Sequence, residues 1–257
     1  MKFVNIRTTI SALLVATGLV GCATTGKSNQ ASSPQPRPER VRVLDTSEYI
    51  PQREVAKETG LLLPYQAANN PYTSLTGRLD SQAVSIFVNA RKAYRNGHFI
   101  KAKTLLKPLV DNNQELSGPH VLMGDVAQAQ KQYDLAIEAY EKAISINRNN
   151  INAYIRLAKV QRIKGQFLPA QNTYAKALSV WKDFPEAHLN LAVLYDLYLN
   201  KPLKAQRHLE AYHFLTQGRD KKRNAWLTEL MQRTGKSIAL ELETDNAATA
   251  KANPASI

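Results

Sequence analysis

Small and bulky residues follow a pattern that repeats every 34 positions through the middle of the chain. Ala136 and Tyr140 coincide with Ala170 and Tyr174 when the chain is shifted by one period, and the match continues on either side. Small residues let two antiparallel helices approach closely, and bulky residues fill the space against the next unit. The pattern predicts four helical units, at about 83–116, 117–150, 151–184 and 185–219.

Each unit is predicted to contain two helices, and one more helix is predicted after the last unit. The expected helix pairs are 81–96/99–113, 117–131/133–147, 151–165/167–181 and 185–199/201–217. The additional helix, in the segment 220–235, has Trp226 and Leu230 on one face and ends before Gly235. It would therefore cover the open end of the last unit. Residues 236–257 are expected to form a flexible tail.

The spacing within a unit resembles the tetratricopeptide repeat. That repeat has a small residue at its eighth place, alanine at the twentieth, an aromatic residue at the twenty-fourth and alanine at the twenty-seventh. In the third unit these residues are Ala158, Ala170, Tyr174 and Ala177. The resemblance implies an all-α superhelical solenoid of about four helix pairs, spanning 81–219, with a C-terminal capping helix.

The resemblance also implies a groove that binds a protein partner. In tetratricopeptide arrays the first helix of each unit lines the concave face, notably through its second, fifth, sixth, ninth, twelfth and thirteenth places. The candidate partner-binding residues at these places are Arg91, Tyr94, Arg95, Asp125, Gln128, Asn152, Arg156, Lys159, Arg162, Asn190 and Asp196.

Three of these residues form a basic stripe. Arg156, Lys159 and Arg162 recur every three residues, so they lie along one side of a single helix. We expect the arginines to bind an acidic segment or a chain terminus through charge-assisted hydrogen bonds. The alternative is that these long side chains only solvate the wall of the groove.

The start of the chain has the features of bacterial export and lipidation. Lys2 and Arg7 precede an apolar stretch too short to span a membrane, so residues 1–21 are interpreted as a secretory signal peptide. The series LVGC, which ends at Cys22, resembles the bacterial lipobox, in which the cysteine becomes the N-terminus and carries diacylglyceryl and acyl groups. Ala23 follows, which by analogy with enterobacterial sorting favours the outer membrane, facing the periplasm, over the inner membrane. The alternative is an ordinary secreted protein with a chance cysteine.

Two segments separate Cys22 from the repeats. Residues 22–40 lack large apolar side chains and contain Pro34, Pro36 and Pro38, which predicts a disordered, extended tether. Residues 41–80 are more apolar, but prolines and glycines interrupt them, which predicts an irregular strap. This strap either lies on the folded repeats or becomes ordered only on a partner.

Composition restricts the class of protein. The chain has 257 residues, a net charge of +13 and an apolar fraction of 44%, which excludes a wholly disordered protein. Its single cysteine excludes a disulfide framework and a cysteine-based zinc site. Residues 81–236 hold 24 basic and 12 acidic side chains. Outside the cytoplasm such a domain meets lipid headgroups and acidic protein segments, so no nucleic-acid partner is expected.

No residue pattern indicates catalysis. The five histidines lack metal-binding spacing, and neither a phosphate-binding glycine loop nor a nucleophile elbow is present. The sequence predicts a non-enzymatic, membrane-anchored periplasmic scaffold without a cofactor other than the lipid on Cys22. Its groove would bind a protein and support the assembly or stability of an envelope complex. A pilotin-like factor for type IV pilus and secretin assembly, a class with a similar chain layout, is one alternative. An envelope enzyme or ligand carrier is another.

Overall fold

The computed structural model describes residues 41–73, 80–112 and 115–240. A 3₁₀-helix at Ser47–Tyr49 lies in the otherwise irregular segment 41–73, and the rest of the described chain is mainly α-helical. The nine α-helices are α1 (Ser81–Arg95), α2 (Phe99–Asn112), α3 (Ser117–Ala129), α4 (Tyr133–Ile146), α5 (Ile151–Ile163), α6 (Phe167–Val180), α7 (Pro185–Leu197), α8 (Pro202–Leu215) and α9 (Lys221–Thr234). The predicted all-α fold of four helix pairs and a terminal helix is confirmed. The described residues form no strand, only an isolated antiparallel bridge between Val55 and Leu62.

Each odd-numbered helix from α1 to α7 packs against the helix that follows it, and each pair packs against the next pair. We call α1, α3, α5 and α7 the first helices and α2, α4, α6 and α8 the second helices. The small residues of the repeat are buried where the paired helices meet, as Ala136 and Ala170 are completely inaccessible to solvent. Tyr140 and Tyr174 are equally buried and fill the space beside them. The 34-residue pattern is therefore a packing pattern.

The turn inside each pair requires a left-handed backbone at one residue. Gly97 and Gly165 have φ of 75°, and Lys131 occupies the same place in the second pair with φ of 61°. In the fourth pair the left-handed residue is Asn200, with φ of 48°. Glycine adopts this conformation without a steric penalty, whereas a residue with a Cβ atom is strained there.

Gly124 in α3 makes a close approach possible. A Cβ atom at this position would lie 2.7 Å from Cδ1 and 2.8 Å from Cζ of Tyr140 in α4. The tyrosine ring thus occupies the volume that any larger residue would need. The third and fourth pairs hold Ala158 and Ala192 at the corresponding place.

The helix α9 covers the last pair through the buried side chains of Leu227 and Leu230. The Asp220 carboxylate caps its first turn by accepting from the Arg223 backbone N–H at 3.1 Å. Gly235 ends it with φ of 65°. The helix thus shields an apolar face of α7 and α8 that would otherwise meet solvent.

Residues 41–73 lie on the repeats, which is the first of the two alternatives for the strap. The side-chain amide of Asn172 in α6 holds the extended strap at two points: the Leu44 N–H donates to Oδ1 at 2.9 Å, and Nδ2 donates to the Arg42 carbonyl at 2.7 Å. The amide of Gln171 donates to the Leu44 carbonyl at 2.9 Å. The contacts of this part of the strap are thus to the second helices.

Further along, the strap is held by the connection between α6 and α7. Both carboxylate oxygens of the buried Asp183 accept from it: the Tyr65 hydroxyl donates at 2.5 Å and the Ala68 N–H at 2.6 Å. The Trp181 indole N–H donates to the Ala68 carbonyl at 2.6 Å. The Tyr65 ring packs edge-on against Phe214, with 5.1 Å between ring centroids.

Two buried histidines join the strap to the fourth pair. Burial lowers the pKa of His188 to about 4 and that of His208 well below its usual value, so both rings are neutral near pH 7. His188 Nε2 lies 2.9 Å from the Lys182 carbonyl, which can only accept, so this nitrogen carries the proton. His188 Nδ1 then accepts from His208 Nδ1 at 3.0 Å.

The chain of bonds ends on the strap. His208 Nε2 accepts from the Thr46 hydroxyl at 2.8 Å, and the Thr46 oxygen accepts from the Tyr195 hydroxyl at 2.8 Å. Thr46, His188 and His208 are each no more than 1% exposed. Each buried polar atom in this chain therefore has a partner, and the partner of His208 Nε2 comes from the strap.

The first part of the tail differs from the prediction. Residues 236–240 are fixed on α8: Leu240 is buried against Ala211 and Phe214, and the Ala239 N–H donates to the Glu210 carboxylate at 3.2 Å. The expectation of a flexible segment was wrong here, because an apolar side chain packs on a helix without needing a sheet. Residues 241–257 lie outside the described part of the chain.

Candidate partner-binding surface

The first-helix surface is the set of side chains that the first helices present at the predicted groove places. On α1, Arg91 and Arg95 are exposed, and Tyr94 is half-buried. Burial raises the pKa of the Tyr94 hydroxyl, the Asp125 carboxylate raises it further, and Arg156 opposes the shift. The structure thus brings groove residues from three consecutive repeats close together.

Asp125 is the centre of this cluster. Its carboxylate accepts from the Tyr140 hydroxyl at 2.8 Å and from Arg156 Nε at 2.8 and 3.1 Å. Gln128 Oε1 lies 3.1 Å from the same hydroxyl. Burial raises the pKa of the Asp125 carboxyl, while the Arg156 charge lowers it. The buried charge is therefore satisfied within the protein.

The predicted basic stripe connects neighbouring repeats. Arg156 of α5 binds Asp125 of α3, and Lys159 binds Glu186 of α7 at 2.8 Å. The Arg156 Nη1 atom also donates to the Asn152 carbonyl at 3.3 Å. Two of the three cations of the stripe are therefore neutralised by carboxylates of the repeats before and after. They link consecutive repeats and do not only solvate the groove wall.

Arg162 has a neutral partner. Its Nη1 atom donates to the Tyr198 hydroxyl at 2.8 Å, and its guanidinium lies 5.2 Å from the centroid of the same ring. A cation above an aromatic face is held by the ring quadrupole and keeps its charge available to an anion.

Two predicted residues of α7 make contacts that differ from the expectation. Asp196 is not available to a partner: its side chain is 3% exposed, and α9 covers it. Its carboxylate accepts from the Trp226 indole N–H at 3.0 Å and pairs with Arg233 at 2.8 Å. The prediction was wrong because α9 has no equivalent in the repeat pattern. Asn190, which is half-buried, donates to the Glu186 carbonyl one turn earlier at 2.7 Å.

The first-helix surface also contains exposed apolar side chains that the sequence prediction missed. Val84 and Val88 lie one turn apart on α1, on the same side as Arg91 and Arg95. Ile163 and Leu197 are further exposed members, and the exposed Tyr198 directly follows α7. The sequence contains the signal for them, because the second, sixth or thirteenth place of a repeat is occupied by Val84, Val88, Ile163 and Leu197.

The described residues offer neither a metal site nor a membrane-spanning helix. Within 41–73, 80–112 and 115–240, no group of three His, Cys, Asp or Glu side chains could hold a metal ion. None of the helices there is long and apolar enough to cross a bilayer. Cys22, the predicted lipidation site, lies outside the described residues.

The repeat geometry agrees with known proteins. Residues 124–165, from the middle of α3 to the turn after α5, match the family model described as TPR repeat. The fold is a tetratricopeptide-repeat (TPR) solenoid. MamA from Desulfovibrio magneticus RS-1 has a similar structure, with a TM-score of 0.51 and 17% identity over 62% of this chain and 88% of that chain.

Two further TPR-like structures resemble the protein to the same extent. Pseudomonas aeruginosa pilF gives a TM-score of 0.53 with 16% identity, over 59% of this chain and 68% of that chain. A thermophilic TPR protein of Thermus thermophilus gives a TM-score of 0.50 with 16% identity, over 59% of this chain and 82% of that chain. At these identities the likeness concerns the fold.

Proposed function

We propose that this protein is a membrane-tethered scaffold that binds a protein partner through its first-helix surface. The observation that carries the proposal is the combination of exposed aliphatic and basic side chains on α1, where Val84, Val88, Arg91 and Arg95 share one side. Apolar contact area with arginines beside it is typical of a protein-binding surface.

The partner's contact segment is proposed to be acidic or to end in a free carboxylate. Lys159 and Arg156 are paired with carboxylates, but no carboxylate within the described residues pairs with Arg91, Arg95 or Arg162. Carboxylates of a partner would form charge-assisted hydrogen bonds with these guanidinium groups. Arg91, Arg95 and Arg162 thus replace the basic stripe as the proposed anion-binding residues.

The tether is proposed from the sequence. A lipid on Cys22 would anchor the chain to the outer membrane on its periplasmic side, and residues 23–40 would give the repeats reach from the bilayer. The scaffold would then hold its partner near the membrane and support the assembly of an envelope complex.

The test compares two double charge reversals in the full-length chain. Arg91→Glu with Arg95→Glu changes the first-helix surface. Lys176→Glu with Lys222→Glu makes the same change in charge at exposed places on α6 and α9. Affinity capture from detergent-solubilised membranes should retain one stoichiometric partner with the wild type and the control, and lose it with the arginine variant. Equal capture by all three proteins would contradict the proposal.

A pilotin-like role is the alternative. It rests on the sequence layout of signal peptide, lipobox and repeats, and it predicts that the captured partner is a secretin subunit. Any other envelope protein, captured with the same dependence on Arg91 and Arg95, would keep the scaffold role and exclude the pilotin-like one.

A further inference from the structure

The fourth residue of each repeat faces the space between consecutive second helices, and the repeats fill this space in different ways. In the third repeat Tyr154 is 6% exposed and fills the space with its own ring. In the fourth repeat His188 is at this place. The packing is completed by His208 of α8 and by Thr46 of the strap. In the second repeat the fourth residue is His120, and the space beside it is an open cleft.

This cleft lies between α2 and α4, above α3. It has a volume of about 310 Å³, and its apolar lining includes Val110, Met123, Val126, Leu135 and Ala139. Leu135 is 49% exposed at its mouth. Farther along α2, Ile100 is 80% exposed beside a shallower depression that shares Lys103 with the cleft. The cleft therefore continues into an elongated apolar surface.

At the cleft, the second repeat has a small residue where the fourth repeat has a large one. The second half of the fourth repeat is shifted by one position, so Ala205 corresponds to Ala136 and His208 corresponds to Ala139. The imidazole that closes the fourth repeat is therefore replaced by a methyl group in the second repeat. In the fourth repeat Thr46 of the strap completes this packing through its hydrogen bond to His208, and nearby strap residues bind α6.

One polar atom in the cleft wall is left unsatisfied. Nε2 of His120 is buried and has no hydrogen-bond partner among the described residues. Burial lowers the pKa of His120, and the nearby Lys142 lowers it further, so the ring is neutral at pH 7 and can form one more hydrogen bond. The cleft is mostly apolar, with Lys103, Gln130, Gln132 and Glu138 also in its lining. Such a cleft with an unpaired histidine nitrogen fits an amphipathic aromatic side chain, which has an apolar body and a polar tip.

We propose that the cleft between α2 and α4 binds an extended segment of another protein, which inserts a tyrosine side chain beside Ala139 with its hydroxyl toward His120. The third and fourth repeats place an aromatic ring in the equivalent space, and the fourth already accepts a segment of the strap on α8. The site is separate from the first-helix surface and extends the proposed scaffold role to a second contact.

The chain itself does not supply this side chain from its undescribed segments. These segments contain one aromatic residue, Phe3, which lies in the predicted signal peptide. The segments are 1–40, 74–79, 113–114 and 241–257. The described aromatic residues of the strap have their own contacts, such as Tyr65 on Phe214. The occupant is therefore proposed to come from another molecule.

Labelled ten-residue peptides that differ only in a central Tyr, Leu or Ala test the proposal by fluorescence polarisation with the full chain. The Tyr peptide should bind at least tenfold more tightly than the Ala peptide, with Leu between them. Ala139→Leu fills the cleft and should remove this difference, whereas Glu141→Leu, an exposed position on the same helix, should keep it. Leu135→Glu at the mouth is a second disrupting variant that leaves the helix interior unchanged.

Two results would overturn the proposal. One is equal binding of the Tyr and Ala peptides to the wild type, and the other is unchanged binding by both Ala139→Leu and Leu135→Glu. Sedimentation tests the other occupant: a dimer of the chain that Leu135→Glu dissociates would assign the cleft to a second copy instead. The double variant Arg91→Glu, Arg95→Glu should bind the Tyr peptide as tightly as the wild type, because both changes lie on the first-helix surface. The proposed scaffold role and the proposed cleft site can therefore fail independently.

Discussion

Nδ1 of His188 and Nδ1 of His208 lie 3.0 Å apart in the interior of the fourth repeat, and one donates a hydrogen bond to the other. The pair is neutral, since protonation of either ring would place an unpaired charge in a buried site. The Thr46 hydroxyl, 162 residues away in sequence from His208, completes the chain of bonds. The packing of the strap is thereby linked to the protonation state of two histidines.

The first prediction is that the protein loses stability as pH falls from about 6.5 toward 4. In the unfolded chain both histidines take up a proton below about pH 6.5. In the folded chain His188 stays neutral down to about pH 4, and burial also holds the pKa of His208 well below its usual value. The unfolded state then binds more protons, so the free energy of unfolding falls by up to about 1.4 kcal/mol per pH unit for each histidine.

Denaturant unfolding at several pH values measures this slope. The charges that face the pair are Asp183, Asp45 and Lys204, and the pKa of Asp45 is lowered to about 2, so Asp45 does not titrate in this range. His188→Gln should reduce the slope, whereas His98→Gln, at an exposed turn, should not. A slope that is unchanged in His188→Gln would show that other groups cause the acid sensitivity.

The second prediction concerns the strap. Thr46→Val keeps the shape of the side chain but removes the hydroxyl, so His208 Nε2 and the Tyr195 hydroxyl lose their partner. Leaving buried polar groups unpaired costs about 1–3 kcal/mol. Chemical denaturation should show this loss in Thr46→Val and almost none in Ser47→Ala, since Ser47 is exposed. Equal stability of the two variants would mean that the strap does not depend on this bond.

The third prediction reverses the usual effect of helix propensity. Gly124→Ala should destabilise the protein although alanine favours helices, because the Tyr140 ring occupies the place of the new Cβ atom. Overpacking of this kind costs about 1–3 kcal/mol. Thermal unfolding of Gly124→Ala and of the double variant Gly124→Ala, Tyr140→Leu separates the two contributions. A single variant that melts above the wild type would contradict the packing account.

The fourth prediction concerns the membrane tether. Cys22 should be the N-terminal residue of the mature chain and carry diacylglyceryl and acyl groups, because it ends the lipobox-like series. Mass spectrometry of the N-terminal peptide detects the modification directly. Cys22→Ala should move the protein out of the membrane fraction. An unmodified Cys22, or a Cys22→Ala protein that stays in the membrane pellet, would remove the basis for the proposed location.

The helix pairs could be predicted from the sequence because they depend on a repeated pattern. Ala136 and Ala170 mark the same contact in two repeats, and the observed helix ends lie within about three residues of the expected ones. The bond from Arg156 to Asp125 also joins fixed repeat places. In contrast, the burial of Asp196 could not be predicted from the repeat pattern, because its partner Arg233 lies on α9, outside the repeats.

The path of the strap could not be predicted for a related reason. It is irregular apart from the 3₁₀-helix Ser47–Tyr49 and the isolated bridge between Val55 and Leu62, and its contacts join single residues far apart in sequence, such as Leu44 and Asn172. Prediction of the cleft at Ala139 requires two observations. One is the shift of one residue in the fourth repeat, and the other is that the strap packs on α6 and α8. The second observation comes only from the three-dimensional structure.

The central claim is that a protein partner binds the first-helix surface, and site-specific photo-crosslinking in intact cells tests it most directly. One variant has p-benzoylphenylalanine in place of Val88, on the first-helix surface. The control variant has it in place of Lys176, at an exposed position on a second helix. The account predicts one crosslinked product at Val88 that contains a single envelope protein, and no such product at Lys176. A crosslink of that protein at Lys176 and none at Val88 would contradict the account.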